Sequence, residues 1–213
     1  MTANKSSAQI LPQEYHDLDY LDKPRWISFW YQIHEVVETH SRSVLEIGVG
    51  NGLVGHVLRM LNIKVTTVDL DRRLKPDVVA DIRRLPFRAN SFDTLLCAQV
   101  LEHLPYAEFP MALKELGRVV KKNAVITLPH DFLTYFLIHF KIFPYVRPLT
   151  FFKAVSSNQT HRFNGQHYWE IGKKGYSLQK ILNLMHAAGF KVIKTYCLPE
   201  NPYHRFFILR KAN

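Results

Sequence analysis

The stretch VLEIGVGNGLVG, residues 44–55, decides the fold. An apolar run ends in a turn carrying Gly48, Gly50, Gly52 and Gly55, and Leu53, Val57, Leu58 and Leu61 then share one helical face. A glycine-rich strand-to-helix turn lets a ligand approach main-chain N–H groups at a helix N-terminus. Further along, 64–68, 78–80, 93–97 and 124–128 read as strands, with a helix over about 106–118. Strands separated by helices make a parallel sheet covered on both faces. Upstream, Pro24 suits a first helical turn, and Trp26, Trp30, Ile33 and Val37 recur at helical spacing.

The last third differs. Residues 129–170 are aromatic-rich and irregular in pattern. Ser177 then caps an amphipathic helix with Leu178, Ile181, Leu182 and Met185 inward. Strands at 191–198 and 205–209 are joined by PENPYH, a short turn that makes them antiparallel. The expected architecture is α/β: a doubly wound, mostly parallel seven-stranded sheet closed by a C-terminal antiparallel hairpin. One domain over 1–213 is expected, with a loose segment at 1–23 and a lid or substrate insertion at 130–170.

Composition narrows the class. Hydrophobic residues are 47% and charged residues 22%, ordinary for a globular chain. Lys plus Arg is 28 against 18 for Asp plus Glu, a formal charge of +10. That balance favours anionic partners, and a merely basic solvated surface would give it too. Cys97 and Cys197 have no metal-ligand spacing and predict no disulfide, and MTANKSSAQI has no apolar signal core. A cytoplasmic location is the expectation. The apolar run 132–140 is followed at once by Lys141, Pro144, Arg147 and Pro148, and is too short to span a bilayer.

Gly50, Gly52 and Gly55 also fit G-x-G-x-x-G, the dinucleotide fingerprint. Three features oppose that reading. Gly48 already begins the turn, Glu46 would repel a pyrophosphate, and no hydride-transfer constellation follows. A carboxylate at Glu46 instead suits an ammonium group.

E-x-G-x-G-x-G from Glu46 to Gly52, the acidic strand end in VTTVDLD, ADIRRLPF, NSFDTLLCAQVLEHL and a terminal hairpin together resemble class I S-adenosylmethionine-dependent methyltransferases. Within that fold the chain is similar to the small methyltransferase type 11 group, closely over 24–128 and more loosely beyond. The resemblance implies S-adenosylmethionine as donor and S-adenosylhomocysteine as product, with no metal. Gly48, Gly50 and Gly52 would wrap the methionine and ribose, and Glu46 would hold the amino-acid end. Asp69 would accept both ribose hydroxyls, since a carboxylate suits a diol. Leu70 would pack on adenine, and Asp81 and Ile82 would read its amino group. Asn51, Gln99 and Val100 would lie under the sulfonium, in the crevice outside the strand ends.

Methyl transfer from a sulfonium is a direct displacement, so the protein mainly aligns the nucleophile and excludes water. A general base helps only a protonated acceptor. His103 and His130 are the candidates. The acceptor site is expected from Tyr15, Trp26, Trp30, Tyr135, Phe136, Phe163, His167, Tyr168 and Trp169, rings that suit an apolar or planar small-molecule or lipid-like substrate. Residues 132–152 interleave aromatics with Lys141 and Arg147, a composition suited to peripheral membrane contact.

Two alternatives stay open. Small-RNA 2′-O-methyltransferases are similar around Val100–Leu101–Glu102–His103 and use a carboxylate-and-histidine metal site there; Gln99 departs from their pattern, and the +10 charge would suit nucleic acid. The chain could also bind the donor without catalysing transfer.

Overall fold

The computed structural model describes residues 12–140 and 149–212. The expectations for 1–11, and for Lys141, Pro144, Arg147 and Pro148, lie outside the described residues. Helix α1 (Lys23–Val37) begins where Asp22 accepts the Arg25 N–H at 2.8 Å. Strand β1 (Ser43–Ile47) leads through the glycine turn into α2 (Leu53–Met60), whose cap residue Gly52 has φ +76°. Strands β2 (Lys64–Asp69), β3 (Val78–Val79) and β4 (Phe92–Ala98) follow. Helix α3 (Phe109–Val119) runs into β5 (Val120–Pro129). After β6 (Phe132–Phe140) and β7 (Leu149–Ser156) come α4 (Leu178–Ala187), β8 (Phe190–Cys197) and β9 (His204–Lys211). Ser177 caps α4 by accepting the Lys180 N–H at 3.3 Å.

The main sheet has seven strands in the order β3-β2-β1-β4-β5-β9-β8. Pairing is parallel from β3 to β5 and antiparallel where β9 joins β5 and β8. Alternate residues of each strand feed opposite layers, as the pleat requires. Leu45 and Ile47 of β1 join Leu113, Leu116, Ile181 and Met185 from α3 and α4. Val44, one residue out of step, joins Phe29, Val36, Val54 and Leu58 from α1 and α2. Two helices on each face explain why residues 95–97 of β4 and 124–126 of β5 read as unbroken apolar runs. Cys97 is buried, Cys197 is half-buried, and both are free thiols.

The chain order reverses between β1 and β4, so the turns after them diverge and leave a crevice at their C-terminal ends.

One element departs from the sequence expectation. Part of the irregular stretch is a separate two-stranded antiparallel sheet, β6 with β7. Both its faces carry apolar side chains, so the alternation that announces a half-buried strand is missing. Among the described residues, no helix is long and apolar enough to cross a membrane.

Candidate functional site

The crevice opens into a cleft of about 560 Å³. Its floor is the glycine turn. Gly48 sits at φ +83°, and a Cβ there would lie 2.4 Å from Val100 Cγ2. Only glycine lets the first turn pass that close to the turn after β4. Gly50, at φ +54°, lies beside the Tyr15 ring and the Tyr20 hydroxyl, so the segment preceding α1 roofs the turn. Asn51 lines the cleft while its Oδ1 accepts the Leu53 N–H at 3.1 Å, fixing the start of α2. Gly52 does not line the cleft; its left-handed conformation serves the entry into α2.

Asp69 ends β2 with both carboxylate oxygens engaged at the rim. Oδ2 accepts the Val49 N–H and Oδ1 the Asp71 N–H, each at 2.9 Å. The acid thereby locks the glycine turn to β2, and each oxygen retains further acceptor capacity toward a diol. Leu70, Asp81, Ile82, Gln99 and Val100 also line the cleft. Asp81 is gripped through both oxygens by Arg83, whose Nη1 also reaches Glu108 at 2.5 Å. Gln99 has φ +54°. With its oxygen accepting the Leu128 N–H at 3.2 Å, its NH₂ donates to Glu102 Oε1 at 3.3 Å.

Glu46 is 4% exposed, and its Oε2 makes no hydrogen bond. Gly55 gives it room: a Cβ there would stand 2.2 Å from that oxygen. Burial pushes the Glu46 carboxyl up to about 8, with Arg59 opposing the shift only in part.

Glu102, His103 and His167 hold ligand-type atoms within 4.8 Å of one another; the two histidines line the cleft and Glu102 does not. Glu102 is fully buried, its Oε2 lacks a hydrogen-bond partner, and burial raises its carboxyl to about 7. His103 Nδ1 meets the Gln166 carbonyl at 2.9 Å, and burial lowers its pKa, favouring the neutral ring. His167 Nδ1 meets Glu170 Oε1 at 2.9 Å, and the Tyr203 hydroxyl donates to the same oxygen at 2.7 Å. Burial alone would lower His167, but Glu170 and Glu102 outweigh it and raise its pKa.

The structure redistributes the ring residues expected at the acceptor site. Tyr15, His167 and Tyr168 line the cleft. Trp169 is fully buried in the core, its Nε1 donating to the Leu104 carbonyl at 3.1 Å. Trp26, Trp30 and Phe163 are about half exposed and outside the cleft lining, because the inner face of α1 is given to other residues. Tyr135 and Phe136 sit on the β6–β7 ribbon, away from the cleft. His130 is also absent from the lining: its Nδ1 accepts from Arg205 Nε at 2.7 Å, and burial with that cation lowers its pKa to about 3.

Sequence reasoning missed Tyr20, Arg25, Gln32, Tyr203 and His204, which line the same space. A signal for some of them existed. Ser28, Gln32 and Glu35 recur along one face of α1, and all three are buried. Ser28 Oγ meets His204 Nδ1 at 2.7 Å, while Glu35 takes Tyr196 at 2.5 Å and Lys194 at 2.8 Å.

Comparison with known proteins agrees with this geometry. Residues 45–128 match the methyltransferase-domain family. An uncharacterised protein of Methanocaldococcus jannaschii is 33% identical over a 135-residue alignment that covers 55% of this chain and 58% of that relative's length. The N-methyltransferase NodS of Bradyrhizobium japonicum, solved with S-adenosylhomocysteine, superposes with a TM-score of 0.62 at 11% identity over 90% of this chain and 89% of that one. Magnesium protoporphyrin IX methyltransferase of Synechocystis gives 0.61 at 14% identity, covering 89% and 84%. The 1,6-didemethyltoxoflavin N1-methyltransferase of Burkholderia thailandensis gives 0.59 at 15% identity, covering 100% and 99%. At these identities the superpositions establish a common fold.

Proposed function

We propose that this chain, which carries a class I S-adenosylmethionine-dependent methyltransferase domain, moves a methyl group from S-adenosylmethionine to a small-molecule or lipid-like acceptor. The observation that carries the reading is the rim at Asp69. A carboxylate already hydrogen-bonded to the glycine turn faces the crevice where the sheet order reverses, which is the place and chemistry for a ribose diol. Gly48, packed against Val100, brings bare backbone to the sulfonium side.

Elsewhere in the lining, Arg25, Gln32, His167, Tyr168, Tyr203 and His204 mix rings with hydrogen-bonding groups. That lining suits an acceptor with an apolar body and one polar group. His103, whose neutral form burial favours and whose Nδ1 meets the Gln166 carbonyl, is the candidate base toward a hydroxyl or amine. The protein's remaining work is alignment and exclusion of water. Incubation with methyl-labelled S-adenosylmethionine and two acceptor pools, a lipid extract and a water-soluble metabolite fraction, tests the reading. Label entering one pool with wild type and not with Asp69→Ala is expected. No transfer to either pool by protein that binds the donor overturns catalysis and leaves a donor-binding protein.

A second reading is favoured by the Glu102–His103–His167 cluster. An orphaned buried carboxylate oxygen beside two imidazoles fits a divalent cation, which would polarise a hydroxyl acceptor such as a ribose 2′-OH. Glu170 on His167 and the Gln166 carbonyl on His103 would then fix the two rings as outer-shell partners do. Cobalt titration of the purified protein distinguishes the two. Stoichiometric visible bands lost in His167→Ala support the metal, and their absence removes it.

A further inference from the structure

The β6–β7 ribbon stands outside the site just described, and its composition calls for a partner. The cross-strand pairs Ile138–Phe151, Phe140–Leu149 and Phe136–Lys153 place their side chains on one face. On that face Phe136, Ile138, Phe140, Leu149, Phe151 and Val155 are each 49–64% exposed. The reverse face presents Tyr135 and Leu137, 51% and 37% exposed. A two-stranded ribbon has no second sheet to cover either side, and a hydrophobic surface this continuous is rare on an unpartnered protein.

The charges identify the occupant. Between residues 132 and 156 the sequence contains Lys141, Arg147 and Lys153 and no Asp or Glu. A sequence of rings and branched aliphatics in which Lys and Arg are the only residues charged at neutral pH, with Lys153 on the apolar face, is complementary on a chain of net charge +10 to an anionic lipid surface. A second protein chain packing on the ribbon would cover one face. Fluid lipid surrounds both. The open edges of the ribbon carry unpaired backbone groups, so it lies at the boundary of headgroups and acyl chains, where lipid reaches both faces, and does not cross the hydrocarbon.

We propose that the β6–β7 ribbon docks this protein on an anionic lipid surface. The ribbon joins the cleft at its root: the His130 N–H donates to the Tyr203 carbonyl at 2.7 Å, and Tyr203 lines the cleft. Docking would therefore bring the acceptor end of the cleft near the surface, where an amphiphilic acceptor resides. The inference is read from the ribbon alone and holds whether or not methyl transfer is the chemistry.

Flotation with vesicles of phosphatidylcholine, with and without about one third phosphatidylglycerol, tests it at about 0.1 M and about 1 M salt. Wild type is expected to float with the anionic vesicles, less so at high salt and less so with neutral ones. The double variant Ile138→Thr/Phe151→Thr keeps β-forming residues and should partition about tenfold more weakly or worse. Lys153→Gln changes charge alone and should cost about fivefold. Circular dichroism and thermal melting of each variant should match wild type and so report an intact fold. Wild type that stays below both vesicle types overturns the proposal. So does a double variant that floats equally well, or a self-association abolished by the double variant without vesicle binding, which would make a second copy the occupant.

Discussion

Replacing Glu46 by Gln should stabilise the protein, and by an amount that grows with pH. The buried carboxyl is raised from 4.5 to about 8 in the folded chain. Over that interval the unfolded chain has released the proton that the folded chain still holds, so folding takes one up. The group's stabilising contribution is complete below its unfolded value and is lost as pH rises toward its folded one, on the order of 1.4 kcal/mol per pH unit. Between about pH 5.5 and about pH 7.5 the loss is on the order of 3 kcal/mol, a large share of the roughly 5–15 kcal/mol that holds a domain together. Gln has the same shape, fits the space that Gly55 leaves, and does not titrate. Urea unfolding of wild type and Glu46→Gln at both pH values isolates this group, because the other titrations are shared. The variant's advantage should widen by about 3 kcal/mol at the higher pH. Parallel pH profiles for the two proteins would refute the reasoning and show Glu46 ionised in the fold.

Three further outcomes follow from the same geometry. Asp69→Ala removes the acceptor for the Val49 N–H and, on the proposed function, for a ribose diol, and should weaken S-adenosylhomocysteine about a hundredfold by calorimetry, with Asp69→Asn intermediate. Gly48→Ala forces a Cβ to 2.4 Å from Val100 Cγ2 at φ +83° and should cost about 1–3 kcal/mol in urea unfolding; adding Val100→Ala should recover the steric part and leave the backbone part. Tyr196→Phe takes the 2.5 Å hydroxyl partner from Glu35, which is 3% exposed, leaving Lys194 at 2.8 Å; about 1–3 kcal/mol of stability should go, read from thermal or urea melts.

The parts of this protein that follow local rules could be read from residues in sequence. The span 43–47 is a strand because every side chain after Ser43 is buried, and helix α4 starts at Ser177 because its hydroxyl caps it. The glycine turn was legible for the same reason: positive φ and close approach leave few alternatives to glycine. The part of the cleft lined by Gln32, Tyr203 and His204 was not legible, because it is assembled across long separations. His204 reaches Ser28 across 176 residues, and the segment around Tyr15 and Tyr20 folds back over Gly50. An aromatic residue signals burial or contact without saying where, which is why Trp169 lies in the core and Phe136 on an outer ribbon. His130 follows β5 as expected, yet Arg205 of the antiparallel neighbour β9 takes its lone pair.

Calorimetric titration of the purified protein with S-adenosylhomocysteine tests the central claim most directly. Saturable one-to-one binding that Asp69→Ala greatly weakens is the predicted result. A folded protein that gives no binding heat with this nucleoside, or an Asp69→Ala variant that binds it as wild type does, would contradict the account.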